Sequence, residues 1–133
     1  MDMIKRGDIL LANLNPVTGC EQGGIRPVLV IQNDRGNCYS STIIVAALTT
    51  NTKGRSYLPT HYLLSKKNGL NEESVVLLEQ IKTIDKQRVI KKICSLNTRE
   101  MEAINQCLKI SLEIREWIYY KLRILKYAYK IVM

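Results

Sequence analysis

The sequence predicts a mainly β domain with a C-terminal helix, an α+β chain whose strands form a small antiparallel barrel or sandwich. Three observations point there. Apolar, β-branched runs alternate with clusters of Gly, Pro, Asn and Asp through the first ninety residues, as strands joined by turns do. The connections are too short for crossover helices, so neighbouring strands must run antiparallel. From Asn97 onward apolar residues recur every three or four positions, the period of an amphipathic helix.

Taken in order, the first strand is expected over Ile9-Leu10-Leu11-Ala12 and is closed by Asn13-Leu14-Asn15-Pro16. A polar loop, residues 15–26, carries Gly19, Gly23 and Gly24. The next strand, residues 27–31, opens on Pro27, where a strand can spare an N–H. Asn33-Asp34-Arg35-Gly36-Asn37 reads as a turn. Thr42-Ile43-Ile44-Val45-Ala46-Ala47-Leu48 is apolar without alternation, which marks a central strand buried on both faces. After a basic loop at 51–57, strands follow at 59–64 and at Ser74-Val75-Val76-Leu77-Leu78. Residues 82–85 continue that last strand after a bend, and Lys92-Ile93-Cys94-Ser95-Leu96 closes the β-rich part.

Asn97 or Thr98 can cap the helix, with Glu100 in the first turn facing the positive end of its dipole. Met101, Ile104, Leu108 and Leu112 form its core stripe; Glu102, Asn105, Lys109 and Glu113 form the polar face and carry no chemistry. Residues 117–133 keep a helical rhythm through Ile118, Leu122, Leu125, Tyr129 and Val132, with no Gly or Pro to stop it. The chain therefore divides into a domain of residues 1–116 and a basic amphipathic extension, 117–133. Packing on the barrel or pairing with a second chain suits that stripe better than a membrane surface.

Composition narrows the function classes. The net charge is +8, and half of it comes from Lys121, Arg123, Lys126 and Lys130 in the extension, which holds no acid. Such a chain attracts polyanions, either nucleic acid or an acidic protein segment. No apolar run is long enough to span a membrane, and the N-terminus lacks the apolar core of a secretory signal, which places the protein in the cytoplasm. Cys20, Cys38, Cys94 and Cys107 have no metal-ligand spacing, and His61 is the single histidine, so free thiols and no metal or other cofactor are expected. One histidine also excludes a two-histidine acid–base ribonuclease. Gln22-Gly23-Gly24 lacks the Lys-Ser/Thr of a phosphate loop.

Any catalysis must then rest on Arg, Thr, Ser or Gln. RNA can be cut with that set, because its own 2′-hydroxyl is the nucleophile. An arginine offers planar paired donors to the phosphate, and a Thr or Ser hydroxyl can orient the 2′-OH. This chemistry does not say which arginine.

Four segments do. Lys5-Arg6-Gly7-Asp8-Ile9, residues 21–34 (Glu21-Gln22-Gly23-Gly24-Ile25-Arg26-Pro27 and onward), Leu58-Pro59-Thr60-His61, and residues 77–86 with Leu77-Leu78-Glu79-Gln80 resemble, in order and spacing, the MazF/PemK toxins. The resemblance covers residues 4–115. It implies an SH3-like antiparallel β-barrel, as in MazF- and CcdB-type toxins, and a homodimer. It implies metal-independent cleavage of single-stranded mRNA at a short motif, extended here to UACAU-like pentamers. The ends would be 5′-hydroxyl and 2′,3′-cyclic or 3′-phosphate. It further implies a MazE-like antitoxin whose acidic, disordered tail fills the RNA groove, in keeping with the basic charge.

By the same resemblance Arg26 takes the catalytic arginine's place and Thr49 the catalytic threonine's, with Thr50 and Thr52 as neighbours. Gln80 matches a position that contacts RNA in relatives. For RNA binding, Glu21 and Gln22 can read base edges or shape the site, Gly23 and Gly24 let the loop backbone approach RNA, and Lys53 and Arg55 are candidates for phosphate contacts. Five of them have a plainer alternative: an ion-pairing Arg26, a strand-ending Thr49, a bend-stabilising Gln80, solvated loop charges at 53 and 55. Glu79 reads as structural, pairing with a nearby cation, and His61 as a barrel or loop residue. The rival functions are a gyrase-binding toxin of the CcdB kind and a non-catalytic RNA-binding module, neither of which needs Arg26 with Thr49.

Overall fold

The computed structural model describes residues 3–53, 58–67 and 69–115. Its elements in chain order are β1 (Asp8–Asn13), β2 (Ile25–Val30), α1 (Asp34–Tyr39), β3 (Thr42–Thr49), β4 (His61–Leu64), β5 (Ser74–Asp85), β6 (Val89–Ser95) and α2 (Thr98–Leu112). The six strands form one sheet in the order β4-β5-β3-β2-β1-β6, antiparallel at every pairing. Mainly β with a C-terminal helix is thus the architecture. Among the described residues the hydrogen-bonded ladder stops at β4 and β6, so the expected barrel is not closed into a ring.

Strand alternation sorts the apolar residues onto two faces. Leu10, Ala12, Val28, Val30, Ile43, Val45 and Ala47 pack on one side with Ile4, Leu14 and Ile84. Ile9, Leu29, Ala46, Leu48, Val76 and Leu78 pack on the other, against Leu64, Leu70, Leu96 and Ile104 of α2. The middle strands are buried on both faces over Val28–Val30 of β2 and Val45–Leu48 of β3, whereas Ile44 is exposed within the apolar run.

Several elements differ from expectation. Residues 33–37 fold into the short helix α1 because the Asn33 side chain accepts from the Gly36 N–H and caps it. Pro59 and Thr60 lie in a turn, and β4 starts only at His61. The two runs around residue 80 are one strand, β5. Its pairing jumps from Ala47↔Leu77 to Ala46↔Ile81, so Leu78, Glu79 and Gln80 bulge out of the β3 ladder.

Helix α2 begins at Asn97, whose side chain accepts from the Glu100 N–H while the Glu100 carboxylate accepts from the Asn97 N–H, a reciprocal capping box. Ile104 is fully buried, with Met101 and Leu108 packed beside it. Leu112, the last helical residue, is half exposed instead of completing the stripe. The helix ends there because Glu113 turns left-handed (φ 53°), its N–H and that of Ile114 closing on the carbonyls of Ile110 and Lys109. No Gly or Pro was needed for this stop. The extension 117–133 lies outside the described residues.

Ile104 joins α2 to the sheet with no exposure at all. Ile104→Ala is expected to lower stability by about 2–5 kcal/mol, read as a shifted denaturation midpoint with unchanged slope.

Candidate active site

The site grows out of the register between β2 and β3. Val28 pairs with Ala47, Leu29 with Ala46 and Val30 with Val45, and the same count brings Arg26 level with Thr49. Both residues fall, by alternation, on the face that carries Val28, Val45 and Ala47. The Arg26 side chain crosses to β3: its Nε donates to the Gly23 carbonyl (2.7 Å) and its Nη1 to the Leu48 carbonyl (3.1 Å). Two fixed bonds set the plane of the guanidinium one residue from Thr49. The Thr49 Oγ1 accepts from the Asn51 N–H at 3.2 Å, which fixes the hydroxyl oxygen, while the hydroxyl keeps its own proton to donate.

The loop between β1 and β2 is held as closely. The Asn15 Oδ1 accepts from the Gly24 N–H (2.9 Å), and the Leu14 N–H donates to the Gly24 carbonyl (2.9 Å). The two glycines are needed for different reasons. Gly24 sits at φ 78°, which glycine adopts without strain. A Cβ on Gly23 would lie 2.6 Å from a Val17 methyl and 2.9 Å from the Asn15 Oδ1, so the loop closes on itself only without a side chain there. Gly23 thereby brings its carbonyl to Arg26.

Across the same face the β5 bulge meets this loop. The Gln22 N–H donates to the Gln80 Oε1 at 3.4 Å. Gln22, Gln80, Glu21 and Lys82 rim a small cavity of about 60 Å³ floored by Leu14, Val45, Ala47 and Ile81. The Lys82 ammonium reaches the Leu14 carbonyl (3.5 Å) and lies 3.8 Å from the Glu21 carboxylate, whose Oε2 also accepts from the Thr18 N–H.

Arg26, Thr49, Gly23 and Gly24 therefore share one corner, and Glu21, Gln22 and Gln80 the adjoining cavity. Lys53 stands exposed, four residues beyond Thr49 and outside the cavity lining. Arg55 lies outside the described residues. Lys82 and Asn15 were not singled out from sequence. Lys82 had a signal, its spacing of two from Gln80 along a strand. Asn15 had none beyond a polar residue before Pro16. Glu79 pairs not with a Lys or Arg but with buried His61, its Oε1 2.6 Å from Nε2, and accepts from the Thr60 hydroxyl at 2.9 Å.

Among the described residues no three His, Cys, Asp or Glu side chains are grouped to hold a metal ion, and no helix is long and apolar enough to cross a membrane. All four cysteines are free; Cys20 and Cys38 are exposed, and burial pushes the Cys94 and Cys107 thiols up.

This fold superposes on solved bacterial toxins. MazF (Form-I) from Deinococcus radiodurans superposes with a TM-score of 0.74 at 23% identity, over 86% of this chain and 100% of that one. Mycobacterium tuberculosis toxin MazF-mt6 does so at 0.69 and 24%, over 82% and 99%. Residues 5–112 match the family described as PemK-like, MazF-like toxin of type II toxin-antitoxin system, and the chain belongs to that family. It is 51% identical over 113 residues to Endoribonuclease EndoA of Bacillus subtilis (strain 168), covering 84% of this chain and 97% of the relative. It is 48% identical over 120 residues to Endoribonuclease MazF of Staphylococcus epidermidis, covering 90% and 99%.

Two outcomes follow from this geometry. Gly23→Ala is expected to cost about 1–3 kcal/mol by overpacking Val17 and Asn15, measured by denaturant unfolding. Alkylation of the folded protein followed by peptide mapping is expected to label Cys20 and Cys38 well before Cys94 and Cys107, because their burial disfavours the reactive thiolate.

Proposed function

We propose that this chain is a cytoplasmic endoribonuclease toxin that cuts single-stranded mRNA without a metal, with Arg26 and Thr49 as its catalytic pair. That the protein is an endoribonuclease of a toxin–antitoxin system rests on its family and on about half-identity to two named endoribonucleases over most of its length. The assignment of the site rests on one observation: the Arg26 guanidinium is clamped between the loop carbonyl of Gly23 and the Leu48 carbonyl, directly beside Thr49.

The chemistry asks little of the protein. The RNA 2′-oxygen attacks the adjacent phosphorus as its proton leaves, the bond to the 5′-oxygen breaks, and that oxygen takes up a proton. The products are a 5′-hydroxyl and a 2′,3′-cyclic phosphate, which water can open to a 3′-phosphate. Arg26 donates to the non-bridging oxygens as negative charge gathers on them, and its pre-set plane spares reorganisation at that moment. The Thr49 hydroxyl orients the 2′-OH. A nucleophile supplied by the substrate removes the need for a metal-activated water.

The adjoining cavity, apolar at its floor and amide-lined at its rim, suits the flat face and polar edge of a base next to the scissile bond. Gln80 and Gln22 take the edge contacts, Glu21 shapes the rim, and Lys53 and Arg55 supply phosphate contacts. The cleaved motif belongs to the UACAU-like class. The active form is a homodimer. Its antitoxin presents a flexible acidic segment to the same face, consistent with the net charge of +8. Among structural neighbours, a mycobacterial endoribonuclease is solved with its cognate antitoxin, and Deinococcus radiodurans MazF with MazE.

The test is to incubate purified, antitoxin-free protein with long single-stranded RNA in EDTA and map the cut ends. Discrete cuts at one short motif with 5′-hydroxyl ends are expected, and Arg26→Ala should slow cleavage by about 10²–10³-fold while remaining folded. Intact RNA from the folded wild type would move the assignment to a binding toxin on the same fold, with gyrase inhibition tested next.

A further inference from the structure

Both ladders that hold β5 break at the same place. Toward β4 the last pair is His61↔Leu77, and toward β3 the pairing resumes only at Ile81. Residues 78–80 are therefore held by other means. The Leu78 N–H donates to the Thr60 carbonyl at 3.0 Å. The Glu79 carboxylate is gripped at both oxygens, Oε2 by the Thr60 hydroxyl (2.9 Å) and Oε1 by the His61 ring (2.6 Å). Whenever the carboxylate is ionised it can only accept, and the His61 Nε2 is then the donor. The His61 side chain is 2% exposed and that of Glu79 37%, so this charge-assisted bond is shielded on one side from competing water. The next residue is Gln80, whose Oε1 receives the Gln22 N–H.

We infer that His61 is a positioning residue for RNA binding, acting through Glu79 to hold the bulge that aims Gln80 at the Gln22 loop. The inference rests on the ribonuclease reading above. His61 is not among the residues that line the cavity, and it is linked to the site through the Glu79 carboxylate. It opens β4 directly after Thr60, so the same carboxylate ties down the end of the connection that leaves Thr49. One acid thus fixes two walls of the RNA path. A purely structural histidine under α2, where the Cys107 thiol donates to its carbonyl at 3.6 Å, would change stability alone. A positioning histidine changes substrate binding in molecules that remain folded.

The experiment compares wild type, His61→Ala and His61→Gln in two readouts: steady-state cleavage of an oligonucleotide carrying the mapped motif, and hydrogen exchange of the Gln22 amide by NMR. His61→Ala is expected to raise KM on the order of tenfold with kcat within about twofold. It should also speed Gln22 exchange on the order of tenfold. His61→Gln, whose amide can donate to the Glu79 Oε1, should restore both. Unchanged KM and unchanged Gln22 exchange in folded His61→Ala overturn the inference, as does a fall in kcat alone. Should His61→Ala fail to fold, Glu79→Ala removes both bonds from a half-exposed side chain and is judged by the same criteria. If the wild type leaves RNA intact, the ribonuclease reading falls, and Gln22 exchange by itself decides whether His61 positions the bulge.

Discussion

The register of β2 against β3 sets which side chains meet at the corner that holds Arg26 and Thr49, the proposed catalytic pair. A slip by one residue would carry Arg26 to the opposite face and turn every packed side chain of the strand around with it. Burial on both faces forbids that slip. Val28 and Val30 need the core they share with Val45 and Ala47, while Leu29 needs the core it shares with Ala46 and α2. Arg26 and Thr49 are therefore held level by the packing of their strands. The clamp on Gly23 and Leu48 refines a position that packing has already chosen.

The two faces of the sheet have separate tasks. One is capped by α2. The other is roofed at its end by the loop between β1 and β2, and the cavity between that roof and β5 is lined by groups from two strands, β3 and β5, and the loop. Fixing a loop by its own asparagine and glycines, rather than by a large apolar contact, keeps it polar at the surface that meets a polyanion.

Much of this was legible in the sequence because it depends on local pattern. The apolar run 42–48 announced a strand buried on both faces, and Asn97 with Glu100 announced a helix start that forms a reciprocal cap. What escaped depends on contacts far apart in the chain or on backbone detail. The turn reading of residues 33–37 missed a helix because one side-chain bond from Asn33 tips the balance over so short a stretch. The end of α2 escaped because a left-handed glutamate, and not Gly or Pro, provides it. Lys82 joined the site only once a three-residue bulge turned β5. Glu79 was read as pairing with a cation, and its partner turned out to be the one histidine, eighteen residues back.

A ladder left open at β4 and β6 has a consequence for handling the protein at concentration. Unpaired strand edges are templates for another chain, and aggregation by edge-to-edge pairing begins at such places. The two edges are guarded differently. β4 is only four residues long, too short to offer a foreign strand much purchase. β6 is longer and carries the exposed Ile90, but Lys91 and Lys92 follow at once and put adjacent cations on the rim. Neutralising those two lysines would strip this edge of its charges beside Ile90, and solubility would become the property that fails first.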